Sequence, residues 1–139
     1  MPQDTDAVLE IELGFYLFGD LPEASELERV FGIRAFVSHR AGDSRLHRIT
    51  GEQTGVHSRA VWGFTTQHIR LNELQPHVEW LLSAAAPAQE LLSSYPRVVA
   101  FIELALANTS STVLPLSLVD FAGKLRAEIG FAVRSGHAA

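Results

Sequence analysis

Residues 8–18, VLEIELGFYLF, alternate with a period of two. Leu9, Ile11, Leu13, Phe15 and Leu17 fall on one face, and Val8, Glu10, Glu12, Gly14, Tyr16 and Phe18 on the other. That pattern predicts a strand with one apolar and one mixed face. Gly19-Asp20 ends it, and Pro22 opens a short helix over 22–31. Glu23 and Glu26 suit its first turn, Leu27, Val30 and Phe31 its packing stripe, and Gly32 its C-terminus. Residues 33–38, IRAFVS, predict a short strand. The pattern then breaks over 39–59, where Gly42, Gly51 and Gly55 punctuate a polar stretch rich in Arg and His. This reads as a long loop, with room for a short strand near 45–50. Residues 60–68 predict a strand with Trp62, Phe64 and Thr66 on one face and Val61, Gly63 and Thr65 on the other.

Residues 72–94 carry a helical stripe of Leu74, Val78, Leu81, Leu82 and Ala85, with Asn72 as N-cap and a break at Pro87. The nearly continuous apolar run 97–105, RVVAFIELA, predicts a strand buried on both faces. Residues 113–116, VLPL, predict a brief edge strand, and Ser117 caps a helix over 118–127 that buries Leu118, Phe121 and Leu125. A last strand covers 129–134. This order predicts an α+β two-layer sandwich with a mixed, mostly antiparallel sheet and helices mainly on one face. Its first part is a ferredoxin-like βαββαβ unit, followed by a C-terminal αβ. Residues 8–135 form one domain, with 1–7 and 136–139 as flexible termini.

The 139 residues are 47 % apolar and 19 % charged, which suits one domain with a real core. The absence of cysteine excludes disulfide scaffolds, thiolate metal sites and cysteine nucleophiles. No apolar run reaches the ~18 residues of a membrane span, and the acidic start lacks a signal-peptide n-region. A cytoplasmic protein without membrane contact is therefore expected. The net charge of −5 is uneven: residues 1–31 sum to −7, residues 32–59 to +3, and residues 60–139 to −1. Overall acidity argues against general nucleic-acid binding.

Four stretches in this order resemble a known family. They are Phe18-Gly-Asp20 running into Leu21-Pro-Glu-Ala-Ser-Glu-Leu27, then Ser58-Arg-Ala-Val-Trp62-Gly-Phe64, then Leu74-Gln-Pro-His-Val-Glu-Trp-Leu-Leu82, and Leu114-Pro-Leu-Ser-Leu118. Together, over about residues 8–135, the chain resembles the bacterial domain-of-unknown-function family 4279. The resemblance implies a compact bacterial protein and carries over no catalytic residue. Analogy with small bacterial families of this kind suggests an immunity protein that neutralises a toxin by binding it.

His39, His47 and His57, with Asp43 or Glu52, have metal-binding chemistry, but their spacings of eight and ten residues match no short ligand motif. Ser58 beside His57 lacks a G-x-S-x-G elbow, and Gly51-Glu-Gln-Thr-Gly55 lacks the G-K-[ST] ending of a phosphate loop. Glu10 and Glu12 stand about 7 Å apart on one strand face, a spacing open to acid–base work, but the solvent-side face of a half-exposed strand is the better explanation of both. Arg34, Arg40, Arg45, Arg48 and Arg59 could meet an acidic partner, a phosphate or RNA, the last disfavoured by the acidic remainder, and pairing with the chain's own acidic segment 1–31 is the plainer alternative. Phe15, Phe31, Phe36, Phe64, Phe101 and Phe121 occupy core-type positions, while an exposed Tyr16/Phe18 face would mark a partner surface or a dimer seam.

These readings converge on a non-enzymatic protein-binding module, immunity-like or regulatory. Arg40, Arg45, His47 and Arg48 of the loop, Glu10 and Glu12 of the first strand, and Trp62 form the expected contact set. A protein partner or a homodimer is expected, and no cofactor or metal. The alternative is a small-molecule or nucleotide sensor, or an enzyme, with a pocket beneath the 39–59 loop.

Overall fold

The computed structural model describes residues 11–46, 50, 52–56, 59–107 and 113–133, without the side chains of 44–46, 53, 54 and 56. Its elements are β1 (Ile11–Gly19), α1 (Ala24–Phe31), β2 (Val37–His39), β3 (Ser44–Leu46), β4 (Gln53–Val56), β5 (Val61–Thr65), α2 (Leu74–Ala84), α3 (Ala88–Ser94), β6 (Val98–Leu106), α4 (Leu116–Leu125) and β7 (Glu128–Val133). The main sheet has the order β2-β5-β1-β6-β7. All neighbours in it run antiparallel except β6 and β7, which α4 joins as a parallel pair. β1, β2, β5 and β6 thus take the arrangement of a ferredoxin-like βαββαβ unit, and α4–β7 is the added αβ.

The period-two pattern of β1 sets the layers. Leu13, Phe15 and Leu17 are fully buried on the side that carries Trp62 and Phe64 of β5 and Ile102 and Leu104 of β6. Leu27 and Phe31 of α1, Val78 and Leu81 of α2, Leu91 of α3 and Leu118 and Leu125 of α4 close the same core. Each such side chain contributes about 1.5–3 kcal/mol of burial free energy. Rings fill its centre: Phe31 stacks on Trp62 at 5.2 Å, and Phe15 meets Phe64 at 5.5 Å. No described helix is long and apolar enough to cross a membrane.

Several local expectations are corrected. The second strand lies at Val37–His39, not 33–38, because its pairing begins where the Phe36 N–H donates to Gly63 O. Phe36 is consequently 54 % exposed and outside the core. Residues 113–115 form no strand. Pro115 instead sits at the N-cap of α4, its carbonyl accepting the N–H groups of Leu118 and Val119, so Ser117 falls inside the helix. The long apolar run of β6 is uniformly buried on the helix-covered face only: on the face without helices Val99 is 58 % exposed and Phe101 and Glu103 are half-buried, with Ala105 alone buried there. The segment 39–59 holds a two-stranded ribbon, β3–β4, separate from the main sheet and inserted between the neighbouring strands β2 and β5.

Candidate functional site

The sheet face without helices is built by the other half of each alternation. Register sets Tyr16 between Gly63 of β5 and Phe101 of β6, and Gly14 between Thr65 and Glu103. Phe101 and Glu103 in turn neighbour Glu128 and Gly130 of β7. The glycines shape this face. A Cβ on Gly14 or Gly63 would collide with the Tyr16 ring, and one on Gly130 with the Phe101 ring. Both rings therefore lie down over glycine backbone, and the centre of the face is smooth and aromatic.

One end of the face is basic. A cavity of about 410 Å³ is lined by Phe18, Arg59, Val99, Phe101, Arg126 and Glu128. The Arg59 guanidinium carbon lies 4.4 Å from the centroid of the Phe18 ring, a cation–π contact that orients it over the face. Arg126 sits at the C-cap of α4 with φ 54°, the left-handed conformation, and its N–H donates to the carbonyls of Ala122 and Gly123. Among the described residues it is the one non-glycine residue with positive φ. A side chain held in that region costs roughly 1 kcal/mol or more, and such strain gathers at functional surfaces.

The other end is acidic. Glu12, Tyr16, Phe36, Gln67 and Glu103 line a second cavity of about 310 Å³. Burial, and after it the Glu103 carboxylate, push the Tyr16 phenol above its ordinary pKa of 10.0. The phenol there is a neutral hydrogen-bonding group beside two carboxylates.

The ribbon is the other feature on the outside. At its base the Arg40 guanidinium donates to the carbonyls of Leu21 and Pro22, both at 3.2 Å, while the Arg40 N–H donates to Asp43 Oδ2 at 2.7 Å. Arg40 thus braces the ribbon against the start of α1 while staying exposed. Arg45 lies in β3 opposite Gly55, and Glu10, His47 and Arg48 lie outside the described residues. Glu12 is on the open face as expected. Trp62 is not: at 1 % exposure it points into the core, because its neighbour across β1 is Leu17 of the helix-covered side. Its indole N–H is buried with no hydrogen-bond partner among the described residues. Among the described residues of the 39–59 segment, Arg59 lines the first of these cavities.

The histidines divide likewise. His77, on α2, is fully buried and both ring nitrogens are engaged: Nε2 donates to Leu71 O at 2.7 Å and Nδ1 accepts from the Thr66 hydroxyl. Thr66 Oγ1 in turn accepts the Leu13 N–H at 2.9 Å, and the Thr66 N–H donates to Leu13 O. This chain of bonds ties α2 to the edge of β1, a structural task. His68 packs edge-on against Trp80 at 4.4 Å. Of the proposed metal set, His47 and His57 lie outside the described residues, and among those described no three His, Asp or Glu side chains are grouped to hold an ion.

Arg126, Glu103 and Phe101 are the site residues that the sequence reading did not single out for binding. The signal for Glu103 was present, a lone carboxylate inside the apolar run RVVAFIELA. Compared with protein-family models, with curated proteins and with solved structures, the chain finds no match.

Proposed function

We propose that the protein is a non-enzymatic protein-binding module of immunity-like or regulatory kind, working in the bacterial cytoplasm, with the β3–β4 ribbon as its charged recognition arm. The observation that carries this reading is the ribbon itself. It is a sheet of its own, braced at its base by Arg40, in the segment where an acidic chain concentrates positive charge. The sequence places Arg45, His47 and Arg48 in or beside it. Such charges raise association rate and select partners of opposite sign more than they add affinity. The resemblance of four sequence stretches to family 4279 implies a compact bacterial protein and transfers no catalytic residue; the binder reading draws on analogy with small bacterial immunity families.

A tagged capture from the native cell, run at two salt concentrations, tests this. The wild type and a variant with residues 43–57 replaced by a short Gly/Ser linker are compared. One stoichiometric partner held at low salt, released at high salt and missed by the shortened variant is the expected result. Equal capture by both proteins, or no partner at either salt, overturns the reading.

The cavity at Arg59 and Arg126 favours a second reading, a sensor for a small anionic ligand. Two guanidiniums beside the rings of Phe18 and Phe101, against the single carboxylate of Glu128, leave the cavity net positive and suit a small aromatic anion. A thermal-shift screen of such anions would show a concentration-dependent rise in melting temperature.

A further inference from the structure

The geometry points to the open sheet face as a homodimer seam, in which a second copy packs face to face about a two-fold axis running across the strands. This inference is independent of the ribbon and of its partner.

Three observations lead to it. First, the face is flat and apolar at its centre, where Tyr16 and Phe101 lie over Gly14, Gly63 and Gly130, with Val99 58 % exposed beside them. A covering of similar flatness fits it, and a second sheet packs on a first at about 10 Å with aligned strands. Second, the face is bipolar along the strands. Arg59 and Arg126, with Glu128 beside them, leave one end net positive, and Glu12 and Glu103 make the other negative. From Phe18 to Glu12 along β1 is about 20 Å, well beyond a Debye length at physiological salt, so the ends act as distinct charges. Third, five strands at about 4.8 Å spacing give a footprint of roughly 500 Å² per copy before side-chain relief is counted, which brings the pair to the ~1,000 Å² expected of a specific interface.

The polarity fixes both the occupant and its orientation. A two-fold axis along the strands would set arginine against arginine. An axis across them, near the Tyr16–Phe101 row, sets the Arg59/Arg126 end of each copy over the Glu12/Glu103 end of the other; Glu128, which shares that row on the edge strand β7, then lies near its own copy at the margin of the seam. A C2 interface must be self-complementary in this way. The seam would bury Tyr16 and Phe101 at its centre and leave the charges at its rim, the usual division between an apolar core and a polar rim.

Sedimentation equilibrium of the full chain provides the test. One variant carries Glu12→Lys with Glu103→Lys, and the other carries Arg59→Glu with Arg126→Glu; far-UV circular dichroism confirms that each folds. The wild type is expected at twice the chain mass at about 100 μM, with dimerisation weakened by salt. Each variant alone sets like charges together and should dissociate at least about tenfold more readily. A one-to-one mixture of the two restores opposite charges at both ends and should recover the dimer. A monomeric wild type overturns the inference and leaves the face to a different protein. A dimer untouched by both reversals but lost in Phe131→Glu overturns it in favour of the β7 edge, where Phe131 is 60 % exposed. Failure of the mixture to recombine overturns the proposed orientation.

Discussion

Replacing Thr66 by Val changes no side-chain volume of consequence and removes one hydroxyl from the centre of a buried network. That hydroxyl donates to His77 Nδ1 and accepts the Leu13 N–H at 2.9 Å, and both Thr66 and His77 are fully buried. Thr66→Val strands two polar groups where water does not reach. Each unsatisfied buried group costs about 1–3 kcal/mol, so a loss of about 2–5 kcal/mol is expected. For a chain of this length 1 kcal/mol corresponds to about 3 °C, so the melting temperature should fall by roughly 6–15 °C. Thr66→Ser keeps both bonds and gives up one buried methyl group, worth about 1 kcal/mol. Thermal melts and urea titrations of the three proteins decide the matter. The reasoning fails if Thr66→Val is within about 0.5 kcal/mol of the wild type, or if Thr66→Ser is the more damaging change. His77→Leu should then cost less in the Thr66→Val background than alone, since the donor to Nδ1 is already gone.

Further outcomes follow from the open face and the ribbon. Arg126→Gly removes a side chain from the left-handed conformation and should raise stability by about 0.5–1 kcal/mol while weakening self-association, a combination that equilibrium unfolding and sedimentation can separate. The raised pKa of Tyr16 means that the folded state holds its phenolic proton longer than the unfolded one, so this group's contribution to stability is full below pH 10.0 and is lost as pH rises through the folded pKa. Ultraviolet difference titration against Tyr16→Phe should show its ionisation moving down in Glu103→Gln but staying above 10.0, because burial is the larger cause. Arg40→Ala should cost less than about 1 kcal/mol in global stability yet speed amide exchange across β3 and β4, since it releases the ribbon base from the Leu21 and Pro22 carbonyls.

The layer structure was legible because burial imposes a period. Leu13, Phe15 and Leu17 announce a core face by their spacing alone, and Leu27 with Phe31 do so for α1. The same reasoning failed where period and burial part company. Phe101 reads as core because it is apolar among apolar neighbours, whereas its face is decided by strand register. Tyr16 lying over Gly63 requires β1 and β5 to pair, contacts 47 residues apart that no local pattern encodes. Arg126 is unremarkable as a residue and gains meaning from ending α4 in a left-handed turn. Trp62 belongs to the expected contact set, but the alternation of its own strand turns it inward. The ribbon was visible as a break in pattern and not as a sheet, since β3 and β4 are three and four residues long and offer little alternation to detect.

The attachment of that ribbon has a consequence for the protein's capacity to change. Its two ends leave from β2 and β5, strands already hydrogen-bonded to each other, with His39 opposite Val61. The domain holds the two ends one strand spacing apart, about 4.8 Å, whatever lies between them. Lengthening the insert therefore adds only a slowly growing closure entropy, about 0.6 kcal/mol for each doubling, and asks nothing of the core. The position behaves as a socket: ribbons of different length and charge can be exchanged there on an unchanged body, by natural variation or by grafting, without renegotiating the fold.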